Sequence, residues 1–206
     1  MVMPLEDQSF GDLEIITVGT GSAYENPERL GPSTAVGWDS HLVLVDAGRG
    51  SAEALRLAGI PVSQPETIFL THVLPYNTMG LDDVLFTGWL TGRETPVRLI
   101  GPVGTKALAK RLQGAHRRGA RAHGEALALP VDGGRFVATE VTEGWSEEID
   151  GLRARAGALS GGPVPALAWR FERGDRSVVI SGTGWAPEAL TQFASDADML
   201  VHEAVY

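Results

Sequence analysis

The chain has 206 residues, enough for one ordinary domain or two intimately joined halves around a sizeable core. A formal net charge of −9 at pH 7 opposes strong binding to nucleic acid or to an anionic membrane. The absence of cysteine excludes disulfides and thiolate metal sites, and no apolar run approaches the roughly 20 residues that span a bilayer. The opening MVMPLEDQSFGD lacks the basic and apolar regions of a signal peptide, so cytoplasm is the expected compartment.

In chain order, LEIITVGTGS begins as a β-rich strand and ends in glycines, and STAVGWDSHLVLVDAGRG holds two strands around a polar turn. SAEALRLAGI has the Ser start and Gly stop of a short helix, and ETIFLTH is apolar on both faces, as a central strand would be. MGLDDVLFTGWLTG predicts a helix, VRLIGP a strand and GTKALAKRLQGAHRRGA a helix. RFVATEVTEG, GLRARAGAL, PALAWRFERG and SVVISGTG are strand-like at period two; PEALTQFASDA has Pro near a helix start, and DMLVHEAVY predicts a last strand. Strands alternate with helices, run together, then alternate again, which suggests two sheets with helices outside. Residues 106–123 carry Lys106, Lys110, Arg111, Arg117, Arg118 and Arg121, read either as a solvated helix face or as a local binding patch.

The blocks VGTGSAYENPERLGPSTAV, LVDAGRG, IFLTH, PALAWRFE, SVVISGTG and DMLVHEA stand in the order seen in the metallo-β-lactamase superfamily. The chain resembles its ribonuclease Z and arylsulfatase-like branch over nearly the whole length. That resemblance implies a single α/β domain over residues 1–206, an αββα sandwich with the active site at the sheet edges between its halves. It also implies hydrolysis by a metal-bound hydroxide at a dinuclear zinc centre, whose first ligands follow the strand as H-x-H-x-D-H. Laid on this sequence, the first His is His72, but the remaining positions hold Leu74, Tyr76 and Asn77. A further family His falls near Gly161, and the bridging Asp falls on Thr183. One neutral imidazole cannot supply the coordination of a zinc centre, so no metal and no cofactor are expected.

His72 is read as a hydrogen-bonded histidine within the sandwich, with an acid/base role or lone ligation as alternatives. His202 and Glu203 match a His-Glu pair that in the resembling branch lies beside the metals. Neighbours on a strand face opposite ways, so both can reach one cleft only if the strand has ended; otherwise Glu203 is expected as a buried anchor for nearby loops. Asp46 is expected to support loop geometry, and the Gly19–Gly21 loop with Arg29 either approaches an anion or simply turns tightly. Tyr76, Asn77, Thr183 and Trp185 either plug the emptied site or line a new pocket.

Two functions remain in view: a non-catalytic relative kept for binding or assembly, and a metal-independent enzyme or small-molecule binder using His72, His202 and Tyr76 as acid/base groups. Zinc hydrolysis with a partner chain supplying ligands is disfavoured, because many positions would need replacing. In the resembling family a helix and a further strand follow HEA, whereas this sequence closes at Tyr206. A C-terminally truncated sandwich is therefore expected, with a second copy or partner chain covering the C-terminal sheet edge.

Overall fold

A computed structural model describes residues 5–24, 26–159, 162–184 and 187–203. Strands β1 (Glu14–Gly19), β2 (Ser33–Trp38) and β3 (His41–Val45) form an antiparallel meander. The turn between β2 and β3 places Asp39 at φ 46°, a left-handed conformation that Asp tolerates better than most residues. All of β2 is buried, because one face meets the helices and the other meets a second sheet.

Crossovers then build the parallel half. Helix α1 (Ser51–Leu57) leads to β4 (Thr67–Phe69), and α2 (Pro75–Thr78) with α3 (Leu81–Leu90) leads to β5 (Val97–Gly101). Helix α4 (Thr105–Leu127) and a 3-10 turn (Val131–Gly134) lead to β6 (Phe136–Glu140). The resulting six-stranded sheet has the order β1-β2-β3-β4-β5-β6. The second sheet has five strands in the order β11-β10-β9-β8-β7: β7 (Ser146–Ile149), β8 (Leu152–Leu159), β9 (Ala166–Arg173), β10 (Arg176–Ser181) and β11 (Met199–Val201). It is antiparallel except at β10–β11, which are joined in parallel across α5 (Pro187–Phe193).

Packing follows the apolar pattern. Leu44, Leu55, Ile68, Leu81, Leu85 and Leu99 fill the layer between the first sheet and its helices. Between the sheets, Trp38, Val43 and Phe69 meet Trp169, Phe171 and Val178. The Phe69 ring sits 4.7 Å from Trp169 and 5.2 Å from Phe171, in the tilted geometries aromatic pairs prefer. Ala168 and Val179 on the far face of the second sheet pack against Leu190 of α5. The result is the αββα sandwich.

Local departures from the expected elements have physical causes. Strand β7 reads Ser-Glu-Glu-Ile, with no apolar alternation to announce it, yet pairs with β8 from Ser146↔Arg155 to Ile149↔Leu152. Helix α4 runs on past Ala120 to Leu127 despite its glycines. The ETIFLTH strand divides: β4 ends at Phe69, and the following residues turn toward the other sheet. There the Thr71 carbonyl accepts from Leu167 N–H at 2.9 Å, and His72 bridges to Ala166. Trp169 Nε1 also donates to the Leu70 carbonyl at 3.1 Å. This stitch pins the end of β4 at the edge where the sheets meet.

Candidate functional site

Asp46 follows β3 in a left-handed conformation (φ 61°) and is buried. Its Oδ1 accepts from the Thr71 backbone N–H at 2.8 Å; its Oδ2 accepts from Thr71 Oγ1 at 2.6 Å and from Asn77 Nδ2 at 2.8 Å. Thr71 Oγ1 also shares a 3.0 Å hydrogen bond with His72 Nδ1. The chain Asn77–Asp46–Thr71–His72 is thus a continuous buried network.

Burial sets its electrostatics. It pushes the Asp46 carboxyl up from 3.8 to about 7, against the hydrogen bonds from Thr71 and Asn77, which favour the anion. Burial likewise lowers the His72 imidazole below its ordinary value, opposed by a hydrogen bond to the Thr183 backbone and by the charge of Glu203. His72 is only 1% exposed, so a substrate cannot reach it without rearrangement. Gly182 closes the space beside the ring: a Cβ there would lie 2.6 Å from His72 Nδ1.

The second wall comes from the ends of β10 and β11. Ser181 Oγ and His202 Nδ1 share a 2.6 Å hydrogen bond, and Thr183 Oγ1 donates to Glu203 Oε2 at 2.8 Å. Strand β11 ends at Val201, which meets the condition for His202 and Glu203 to serve one edge. Both are exposed. Glu203 is therefore not the buried anchor expected of it; past the strand end it sits in solvent, where it still ties down Thr183.

The structure does not bring every candidate together. Tyr76 is half-buried on α2, and Arg29 is exposed; among the described hydrogen bonds and ion pairs, neither side chain joins the His72 network. The Gly19–Gly21 loop turns tightly against the Arg29 segment, where Gly21 N–H donates to the Leu30 carbonyl at 2.6 Å. A Cβ at Gly21 would meet the Arg29 carbonyl at 2.5 Å. Trp185 and Gly161 lie outside the described residues. Asn77 is buried within the network, its Oδ1 without a hydrogen-bond partner. Thr71 and Ser181 escaped notice in the sequence, although each stands beside a motif residue: Thr71 before His72, and Ser181 at the head of SGTG. Among the described residues, no group of three or more His, Asp or Glu is placed to hold a metal ion, and no helix is long and apolar enough to cross a membrane.

Comparison with known proteins agrees on ancestry. The chain is 35% identical over 199 residues to the ribonuclease Z of Mycobacterium sp. (strain KMS), covering 94% of this chain and 69% of that protein. It is 34% identical over 200 residues to the ribonuclease Z of Mycobacterium tuberculosis (strain ATCC 25618 / H37Rv), covering 94% and 70%. Among solved structures, the metallo-beta-lactamase fold protein YhfI from Bacillus subtilis superposes with a TM-score of 0.73 at 13% identity, covering 94% of this chain and 72% of that one. The short form of human tRNase Z superposes with a TM-score of 0.70 at 21% identity, covering 93% and 78%. No protein-family model matches the chain.

Proposed function

Because the chain belongs to the ribonuclease Z family of the metallo-β-lactamase superfamily, we propose that it is a member without the dinuclear zinc centre, its fold retained for binding or assembly. The observation that carries this reading is the Asn77–Asp46–Thr71–His72 network. The Asn77 amide nitrogen is a donor with no lone pair to offer, and it is spent on Asp46. Leu74 and Tyr76 occupy two further ligand positions implied by the resemblance, and Thr183 occupies that of the bridging carboxylate. A lone imidazole beside a threonine and an amide does not fit a site that must hold two zinc ions through several imidazoles and carboxylates. Asp46, Thr71 and the Asn77 amide nitrogen are bonded to one another, while Asn77 Oδ1 is left without a partner.

On this reading, hydrolysis of phosphodiesters, lactams and aryl sulfates by metal-bound hydroxide is absent. The test is elemental analysis of the purified protein after zinc loading and mild chelation. Substoichiometric zinc is the expected result; near two zinc ions per chain overturns the proposal. The combined variant Leu74→His, Tyr76→Asp, Asn77→His and Thr183→Asp should regain zinc uptake. A binder that reuses the sheet edge is the second reading, favoured by one observation: His202 is exposed and hydrogen-bonded to Ser181 beyond the ends of β10 and β11. Its acid/base group would then be His202 and not the buried His72.

A further inference from the structure

Helix α4 is 23 residues long, yet of its residues only Thr105, Ala109 and Gly124 are buried. An amphipathic helix packed on a sheet ordinarily buries a stripe along its whole length. Here it is held at intervals. Near its start, Glu140 Oε1 accepts from Gly104 N–H at 2.9 Å and Lys106 N–H at 3.1 Å. Gln113 Oε1 accepts from Phe136 N–H at 3.1 Å. Near its end, Gly124 packs against the Trp89 ring so closely that a Cβ would lie 2.6 Å from it. On the α3 side, His116 Nε2 lies 3.0 Å from Asp82, and its ring is 5.1 Å from that of Phe86. The β6 side stays open as a groove of about 930 Å³.

The groove has two chemistries. Its floor is apolar, made by Trp89, Leu129, Val131, Phe136 and Ala138. One rim is a cationic ridge of Lys106, Lys110, Arg117 and Arg121. Arg121 is paired with Glu125 at 2.8 Å, but among the described residues no carboxylate pairs with Lys106, Lys110 or Arg117. Such a concentration of positive charge on a chain of net charge −9 calls for an anionic occupant.

We propose that this groove binds one anionic amphiphile, whose aliphatic or aromatic body lies over Leu129, Val131 and Ala138 and whose carboxylate or phosphate meets Lys110 and Arg117. The volume falls in the range of small-molecule sites, roughly 300 to 1,000 Å³, which are apolar with a few placed polar groups. A second copy is a poor occupant, because two-fold pairing would set this cationic ridge against itself. Nucleic acid is a poor one too, since the floor offers an extended backbone no polar partner and the whole chain repels it. The site lies apart from the His72 network and does not depend on whether that network binds metal.

Isothermal titration of the 206-residue protein with decanoate, decyl phosphate, decanol and decyltrimethylammonium, each below its micelle concentration, tests the proposal. One equivalent of decanoate or decyl phosphate should bind at least about tenfold more tightly than the cationic amphiphile, and preference between the two anions names the headgroup. Lys110→Glu with Arg117→Glu should abolish that preference without changing the melting temperature, since both residues are exposed. Ala120→Phe, which fills the groove, should block binding of every probe. Equal binding of anionic and cationic amphiphiles, binding that survives the charge reversal, or no binding of either anion would overturn the proposal. So would a dimer that the charge-reversed variant breaks, or tight RNA binding along the ridge at physiological salt.

Discussion

The His72 network and the α4 groove are two answers to the same physical problem, an interior-facing surface with polar groups to satisfy. At the sheet junction all but Asn77 Oδ1 of the network's polar atoms named above are bonded within it: Asp46 uses both oxygens on Thr71 and Asn77, and Gly182 closes over the imidazole. Beside α4 the cations stay at the rim, and in the apolar floor Trp89 and Phe136 are covered while Val131 stays exposed. A polar network bonded mostly within itself stabilises the fold and resists ligands; an open groove rimmed mainly by cations contributes little to the fold and invites them. The difference is measurable, because substitutions in the first should cost stability and those in the second should cost only binding.

The largest expected effect is Thr71→Val. It removes the hydroxyl that donates to Asp46 Oδ2 and is hydrogen-bonded to His72 Nδ1; Asp46 keeps Asn77 and the Thr71 backbone N–H, while the buried His72 nitrogen loses its partner. A loss of about 2 kcal/mol is expected from urea unfolding, on the scale of one lost hydrogen bond and one buried unsatisfied group. Lys110→Ala and Arg117→Ala should each stay within about 0.5 kcal/mol of the parent. A comparable cost at Lys110 would break the comparison, since it would make the ridge part of the structural scaffold.

The pH dependence separates the regions next. Burial raises Asp46 from 3.8 to about 7, so between these values the folded state keeps a proton the unfolded chain has released. The stability Asp46 contributes is fully present below about pH 4 and is lost as pH rises toward 7. His72 has the opposite sign: its value is lowered from 6.5, so stability is lost as pH falls below 6.5 and the unfolded imidazole takes up a proton. Urea midpoints across this window should lose the first slope in Asp46→Asn and the second in His72→Gln. The groove variants should leave both slopes in place.

A weaker effect is expected at the edge of the second sheet, where β11 exposes Met199 and Leu200 at about half of their full surface. This surface differs from the groove in carrying no ridge of like charge, so a second copy can pair there, edge to edge about a two-fold axis. Sedimentation at micromolar concentration should show self-association that Leu200→Lys abolishes and that the Lys110 and Arg117 variants do not touch. A strict monomer would leave β11 as a tolerated edge.

Much of this was legible in the residues. The two apolar runs of β2 and β3 around their polar turn and the period-two runs of β9 and β10 announced strands, because each carries one face or both into an apolar layer. Asp46 and the run of Leu74, Tyr76 and Asn77 behind His72 could be singled out as candidates from the sequence alone. What the sequence could not show was tertiary in origin. Strand β7 owes its pairing to β8 and not to its own composition. Thr71 is a commonplace residue until Asp46 and His72 are both found on it. The cationic run of α4 was visible, but whether it edged a groove depended on how far the helix sits from β6.

The smallest effect tests that last point directly. Gly119 lies in the middle of α4, and a Cβ added there would meet nothing within 4 Å. Alanine at this position spends less backbone entropy on forming the helix, so Gly119→Ala should stabilise the protein by about 0.5 to 1 kcal/mol. Gly124, five residues along the same helix, should behave in the opposite way, because its Cβ would be driven 2.6 Å from the Trp89 ring. That ring has little freedom to retreat, its Nε1 being bound to the Pro130 carbonyl at 2.6 Å. Gly124→Ala should therefore lower the melting temperature while Gly119→Ala raises it, although propensity alone favours both. Two stabilised variants would mean that α4 stands off Trp89 and the groove is wider than described. Two destabilised ones would mean that the helix lies down on β6, with no groove for an amphiphile to enter.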